Sequence, residues 1–101
     1  MPVLTIVYGQ PDDTAAFDRY YEAVHSPLAA KVPGVLAFTT RHCTAPDGDT
    51  AEQYLLAQLQ FASDQDLTDA LSSPEGQAAA ADVANFATGG AQMFVQRDPI
   101  C

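Results

Sequence analysis

Apolar residues recur along this chain with two different periods, and the switches between them mark its elements. Val3 to Tyr8 is a dense β-branched and aromatic run, stopped by Gly9, Pro11 and two aspartates, which predicts a first strand. Leu4, Ile6 and Tyr8 fall on one face of it, and Val3, Thr5 and Val7 on the other. Both faces are largely apolar, so this strand needs cover on both sides. Beyond Pro11, where Asp12 or Asp13 can cap free N–H groups, the period lengthens. Phe17, Tyr20, Tyr21, Val24 and Leu28 recur at helical spacing and predict one buried stripe. Pro27, which lacks an N–H, should weaken or kink the last full turn, and Pro33-Gly34 ends the connection.

Val35 to Cys43 reads as a second strand, with Phe38 and His42 on one side and Arg41 on the other. A polar loop leads into a third strand from Glu52 to Phe61. There Gln53, Leu55, Ala57, Leu59 and Phe61 alternate against Tyr54, Leu56, Gln58 and Gln60. The loop is short, so the two strands should pair as an antiparallel hairpin. Ser63-Asp64 caps a helix that turns Leu67, Ala70 and Leu71 inward. A second helical segment opens at Ser73-Pro74-Glu75 and runs to Phe86, with Val83 and Phe86 as core positions. Gly89-Gly90 stops it before a last strand from Ala91 to Arg97. The order β-α-β-β-α-β is the split βαβ arrangement of the α+β ferredoxin-like fold, with a four-stranded antiparallel sheet and both helices on one face. The opposite face, partly apolar, should be covered by a second copy of the chain.

Length and charge narrow the partners. A chain of 101 residues suits a single domain spanning 1–101. Thirteen acidic against four basic residues give a formal charge of −9. Nucleic acid and anionic membranes require clustered cations, whereas Arg19, Lys31, Arg41 and Arg97 are scattered. No apolar run approaches the roughly 20 residues of a membrane span, and no basic leader precedes the first strand. Cys43 and Cys101 read as free thiols of a reducing cytoplasm, Cys43 as a small buried hydrophobe and Cys101 as an exposed end residue. No G-x-G-x-x-G, P-loop or G-x-S-x-G motif is present, so neither a nucleotide cofactor nor a serine nucleophile is expected. No spacing favours a metal site.

The segment Phe17-x-x-Tyr20-Tyr21-x-x-x-His25-x-Pro27-Leu28, followed by Lys31-x-Pro33-Gly34, resembles the signature of the EthD family. The element order extends that resemblance over nearly the whole chain. It implies a dimeric α+β barrel, in which two sheets pack face to face with helices outside. It also implies a pocket between helices and sheet in each subunit. Members of the family carry oxidoreductase labels, and related barrels include cofactor-free monooxygenases, isomerases and polyketide cyclases.

His25 is the side chain suited to proton exchange near neutral pH, and Tyr21, one turn earlier on the same face, can orient it or bind a substrate oxygen. The bland alternative is a helix-end histidine stabilised by the dipole. Tyr8, Tyr20, Tyr54, Phe17 and Leu28 are the candidate contacts to substrate. His42, flanked by Arg41 and Cys43 on the opposite face, reads as structural. Three functions remain open. The chain is a cofactor-free enzyme of oxidoreductase, cyclase or isomerase type acting through His25 on a hydrophobic aromatic or polyketide-like compound. Alternatively, it is a non-catalytic binding or accessory protein for such a compound or for a partner oxygenase. The third function is a purely structural dimer.

Overall fold

The computed structural model describes residues 1–101. Four strands, β1 (Val3–Gly9), β2 (Ala37–His42), β3 (Gln53–Gln60) and β4 (Ala91–Gln96), form one antiparallel sheet in the order β2-β3-β1-β4. The first crossover carries α1 (Thr14–Tyr20), a π-helical turn (Tyr21–His25) and α2 (Ser26–Ala30). The second carries α3 (Asp64–Ser72), α4 (Pro74–Asp82) and a short 3-10 turn (Val83–Asn85). This is the ferredoxin-like α+β fold predicted from the pattern. No helix is long and apolar enough to cross a membrane.

The predicted caps close as hydrogen bonds. Asp13 Oδ1 accepts from the Ala16 N–H at 3.0 Å, and Ser63 Oγ accepts from Asp66 at 3.1 Å. Ser73 does two jobs at the α3–α4 break: its Oγ donates to the Ala70 carbonyl at 2.6 Å and accepts from the Gly76 N–H at 3.0 Å. That junction is so close that a Cβ on Gly76 would lie 2.0 Å from the Ala70 carbonyl oxygen.

Helices cover only one face of the sheet. Leu4 pairs with Leu59, Ile6 with Ala57 and Tyr8 with Leu55, and these residues build the core beneath the helices. The molecule is only 17 Å across its thinnest axis, which corresponds to one sheet and one helix layer. The other face carries Val3, Val7, Leu56 and Phe94 and is open, with Phe94 48% exposed.

Four expectations are corrected. The buried stripe of the first helical segment is Phe17, Tyr21, His25 and Ala29, whereas Val24 is exposed and Leu28 only half-buried. A strict four-residue spacing drifts around a helix of 3.6 residues per turn. The π turn takes up that drift: the Ser26 N–H bonds back five residues to the Tyr21 carbonyl. Tyr54 does not share a face with Leu56. Tyr8 pairs with Leu55 and Gly9 with Gln53, leaving Tyr54 as the extra residue of a β-bulge. Its ring packs on the helix side, 5.1 Å from Phe17. Leu71 is 38% exposed, and Cys43 is half-buried.

Candidate functional site

The π turn ends on His25, which is 5% exposed and wedged between Tyr21 and Phe86, with ring centroids at 5.1 and 4.7 Å. Across from it, the last residue of α4 is Asp82, itself buried. Asp82 Oδ2 lies 3.0 Å from His25 Nδ1. Its Oδ1 accepts from the Tyr20 hydroxyl at 2.5 Å and from Asn85 Nδ2 at 3.0 Å. Burial alone would raise the Asp82 pKa, but the three hydrogen bonds and the His25 charge outweigh it and hold the carboxyl below its ordinary range. An ionised carboxylate only accepts, so His25 Nδ1 carries the proton facing Asp82. The bond to Asp82 in turn raises the pKa of Tyr20.

His25 Nε2 makes no hydrogen bond within the chain, and no buried side-chain polar atom is left sealed without a partner. Nε2 is therefore not sealed from its surroundings, and His25 lines a cavity. That cavity measures about 70 Å³ and lies between the sheet and the helices. Its walls are Leu4, Ile6, Leu59 and Met93 from the sheet side and Ala79 and Val83 from the helix side. Tyr8 and His25 are the polar side chains among the lining residues. Burial, followed by the neighbouring Tyr21 and the Asp82 charge, pushes the Tyr8 phenol far above its usual pKa, so it remains a hydrogen-bond donor. Burial does the same to Tyr21.

Of the expected site residues, the structure brings His25 and Tyr8 to one cavity. Tyr21 supports the His25 ring from the side and does not line that cavity. Tyr20 reaches the site through Asp82, and Phe17 belongs to the aromatic cluster of Tyr8, Tyr21 and Phe86. Leu28 lies outside the cavity wall, displaced by the phase shift of the π turn. Tyr54 sits elsewhere, in a second histidine–carboxylate cluster. It donates to Asp18 Oδ1 at 2.8 Å, and the same oxygen lies 3.0 Å from His42 Nε2. Burial, then the Asp18 bond, pushes the Tyr54 pKa up to about 12. His42 is largely exposed there, and its partner on α1 clasps the sheet edge to the helix. No group of three or more His, Cys, Asp or Glu side chains is arranged to hold a metal ion. Sequence reasoning missed Asp82 and Asn85. One signal was available: Asp82 sits three residues beyond Ala79 and four before Phe86, on the inward face of a helix otherwise rich in alanine.

Comparison with known proteins places this chain among relatives of the same length. It is 50% identical over 91 residues to an uncharacterized 11.0 kDa protein of the thcB-thcC intergenic region of Rhodococcus erythropolis, covering 90% of this chain and 88% of the relative. The crystal structure of an EthD-family protein from Bacillus halodurans superposes with a TM-score of 0.91 at 28% identity, covering 98% of this chain and 99% of that one. A dimeric ferredoxin-like protein of unknown function from a Jannaschia species shares the fold, with a TM-score of 0.69 at 19% identity, covering 97% of this chain and 100% of that one. Residues 10–90, which include the π turn, His25 and Asp82, match the EthD domain. The chain belongs to the EthD family.

Proposed function

We propose that this chain is a cofactor-free enzyme that moves a proton on a hydrophobic small molecule, with His25 as general base and acid. The observation that carries this reading is the buried 3.0 Å contact between His25 Nδ1 and an Asp82 carboxylate that Tyr20 and Asn85 fix from the far side. A carboxylate behind one ring nitrogen fixes the tautomer and stabilises the imidazolium once the other nitrogen has taken a proton. In the forward step a substrate C–H or O–H bond breaks, its proton passes to His25 Nε2, and the electron pair stays on the substrate as an enolate or phenolate. The Tyr8 hydroxyl donates to that oxygen. His25 then returns the proton to another atom of the same molecule. Such a step underlies isomerisation, cyclisation and dehydration, and it begins cofactor-free oxidation. Tyr21 acts by holding the His25 ring.

The working unit in this proposal is a cytoplasmic homodimer formed through the open sheet face. Its support is the apolar Val3, Val7, Leu56 and Phe94 on an otherwise uncovered sheet, together with the dimeric state of the Jannaschia protein. A second reading, a binding protein without turnover, draws support from the cavity's small size and nearly uniform apolar walls. Deuterium exchange separates the two. A panel of enolisable ketones and phenols is incubated with the protein in D2O and followed by NMR. The enzyme reading expects exchange faster than with the His25→Gln variant for at least one compound. Equal rates across the panel for both proteins, with the panel compounds binding, would favour the binding protein.

A further inference from the structure

The cavity beside His25 has a definite size and charge character, and both restrict what can enter. At about 70 Å³ it is well below the roughly 300–1,000 Å³ of an ordinary ligand pocket. Only one end of a substrate fits, and the remainder must lie outside, past Met93 and Leu71, which are 58% and 38% exposed at the rim. The walls offer no cation. Arg19, Lys31, Arg41 and Arg97 are all exposed, and none of them lines it. The fixed charge nearest His25 is the Asp82 carboxylate, so an entering carboxylate or phosphate would meet apolar walls and a like charge.

The space itself depends on α4. Ala79 lies one turn before Asp82 and four residues before Val83, so these three share the face that meets His25. Gly76, one turn earlier, is small because the Ala70 carbonyl leaves no room for a Cβ. Ala79, half-buried, lines the cavity wall itself, so a longer side chain there would take up cavity space. Small residues alone do not make a site. Here they face a histidine that is 5% exposed and whose Nε2 has no partner in the chain.

We infer that the cavity receives a small, uncharged, apolar end group of the substrate, and that Ala79 sets how large that group can be. The inference rests on the reading of His25 as the acid and base of the site. Methyl propyl ketone and butyrate, which have nearly the same shape but differ in charge, serve as probes. Each is titrated at neutral pH while the Ala79 and Met93 methyl signals and the His25 ring signals are followed by NMR. The ketone should shift all three saturably, and butyrate should bind at least roughly tenfold more weakly. Ala79→Leu should lose the ketone response at Met93 and His25 while keeping the wild-type amide spectrum. Ala79→Val, a milder filling, should weaken it and serves if the leucine variant does not fold. Equal affinity for butyrate, unchanged ketone binding in both variants, or no saturable response to the ketone would each overturn the inference. Selective, Ala79-dependent ketone binding without His25-dependent deuterium exchange would instead remove the acid/base reading and leave the selectivity standing.

Discussion

Replacing Asp82 with Asn keeps the shape of the side chain and removes its charge, so it isolates what the carboxylate does. In the wild type, one buried group accepts three hydrogen bonds, from Tyr20, Asn85 and His25. Bonds to a charged partner contribute about 1.5–3 kcal/mol each, and neutral ones about 0.5–1.5. An amide oxygen left at the Oδ1 position keeps the Tyr20 and Asn85 bonds at the lower value, a loss of about 1 kcal/mol apiece. Its NH2 then faces His25 Nδ1 and forces the ring into the other tautomer. Relief from burying a charge offsets part of this, so the expected net loss is about 2 kcal/mol, or about 10 °C in Tm for a domain of this length. The pH dependence gives the sharper test. The folded Asp82 pKa is depressed, so its contribution is present above the ordinary aspartate value of about 3.9 and is lost as pH falls through the folded value. Thermal melts of both proteins at one protomer concentration, at neutral pH and at stepwise lower pH, should therefore differ most at neutrality and converge on acidification. Equal stability at neutral pH, or a gap that persists in acid, would show that the Asp82 charge does not supply this stability.

Other perturbations follow from particular contacts. Gly76→Ala should cost about 1–3 kcal/mol in chemical denaturation, because its Cβ would meet the Ala70 carbonyl at 2.0 Å. Tyr8→Phe should flatten the alkaline limb of the stability curve. The raised Tyr8 pKa means that its contribution holds below about pH 10 and is lost as pH rises further, which a pH series of melts reads directly. Phe94→Glu should halve the mass measured by light scattering with the far-UV CD spectrum unchanged, because the proposed dimer forms through the open sheet face; a mass equal to that of the wild type would refute that proposed contact.

Much of the fold was legible because its signals are local. Alternating or β-branched runs located β1, β2 and β3, the Gly89-Gly90 stop placed β4, and Ser63, Ser73 and the Asp12-Asp13 pair announced the helix starts, of which Asp13 is the aspartate that caps. The errors fell where one residue shifts a phase. Tyr54 changed faces at a bulge whose cause lies in its pairing with β1, on a strand far away in sequence. Val24 and Leu28 left the core at a π turn that an ideal helical period does not anticipate. His25 stood out by its chemistry and its motif. Asp82 did not, because the contact that defines it spans 57 residues of chain and depends on two helices being packed side by side over the sheet.

The most direct test of the account is the protonation state of the His25 ring in the resting protein, read from its ring nitrogen shifts and their long-range proton couplings. A proton is expected on Nδ1, shifted downfield by its bond to Asp82 and lost in Asp82→Asn, with Nε2 free to accept from a bound molecule. A neutral ring protonated on Nε2, or a ring whose signals ignore the Asp82 substitution, would contradict it.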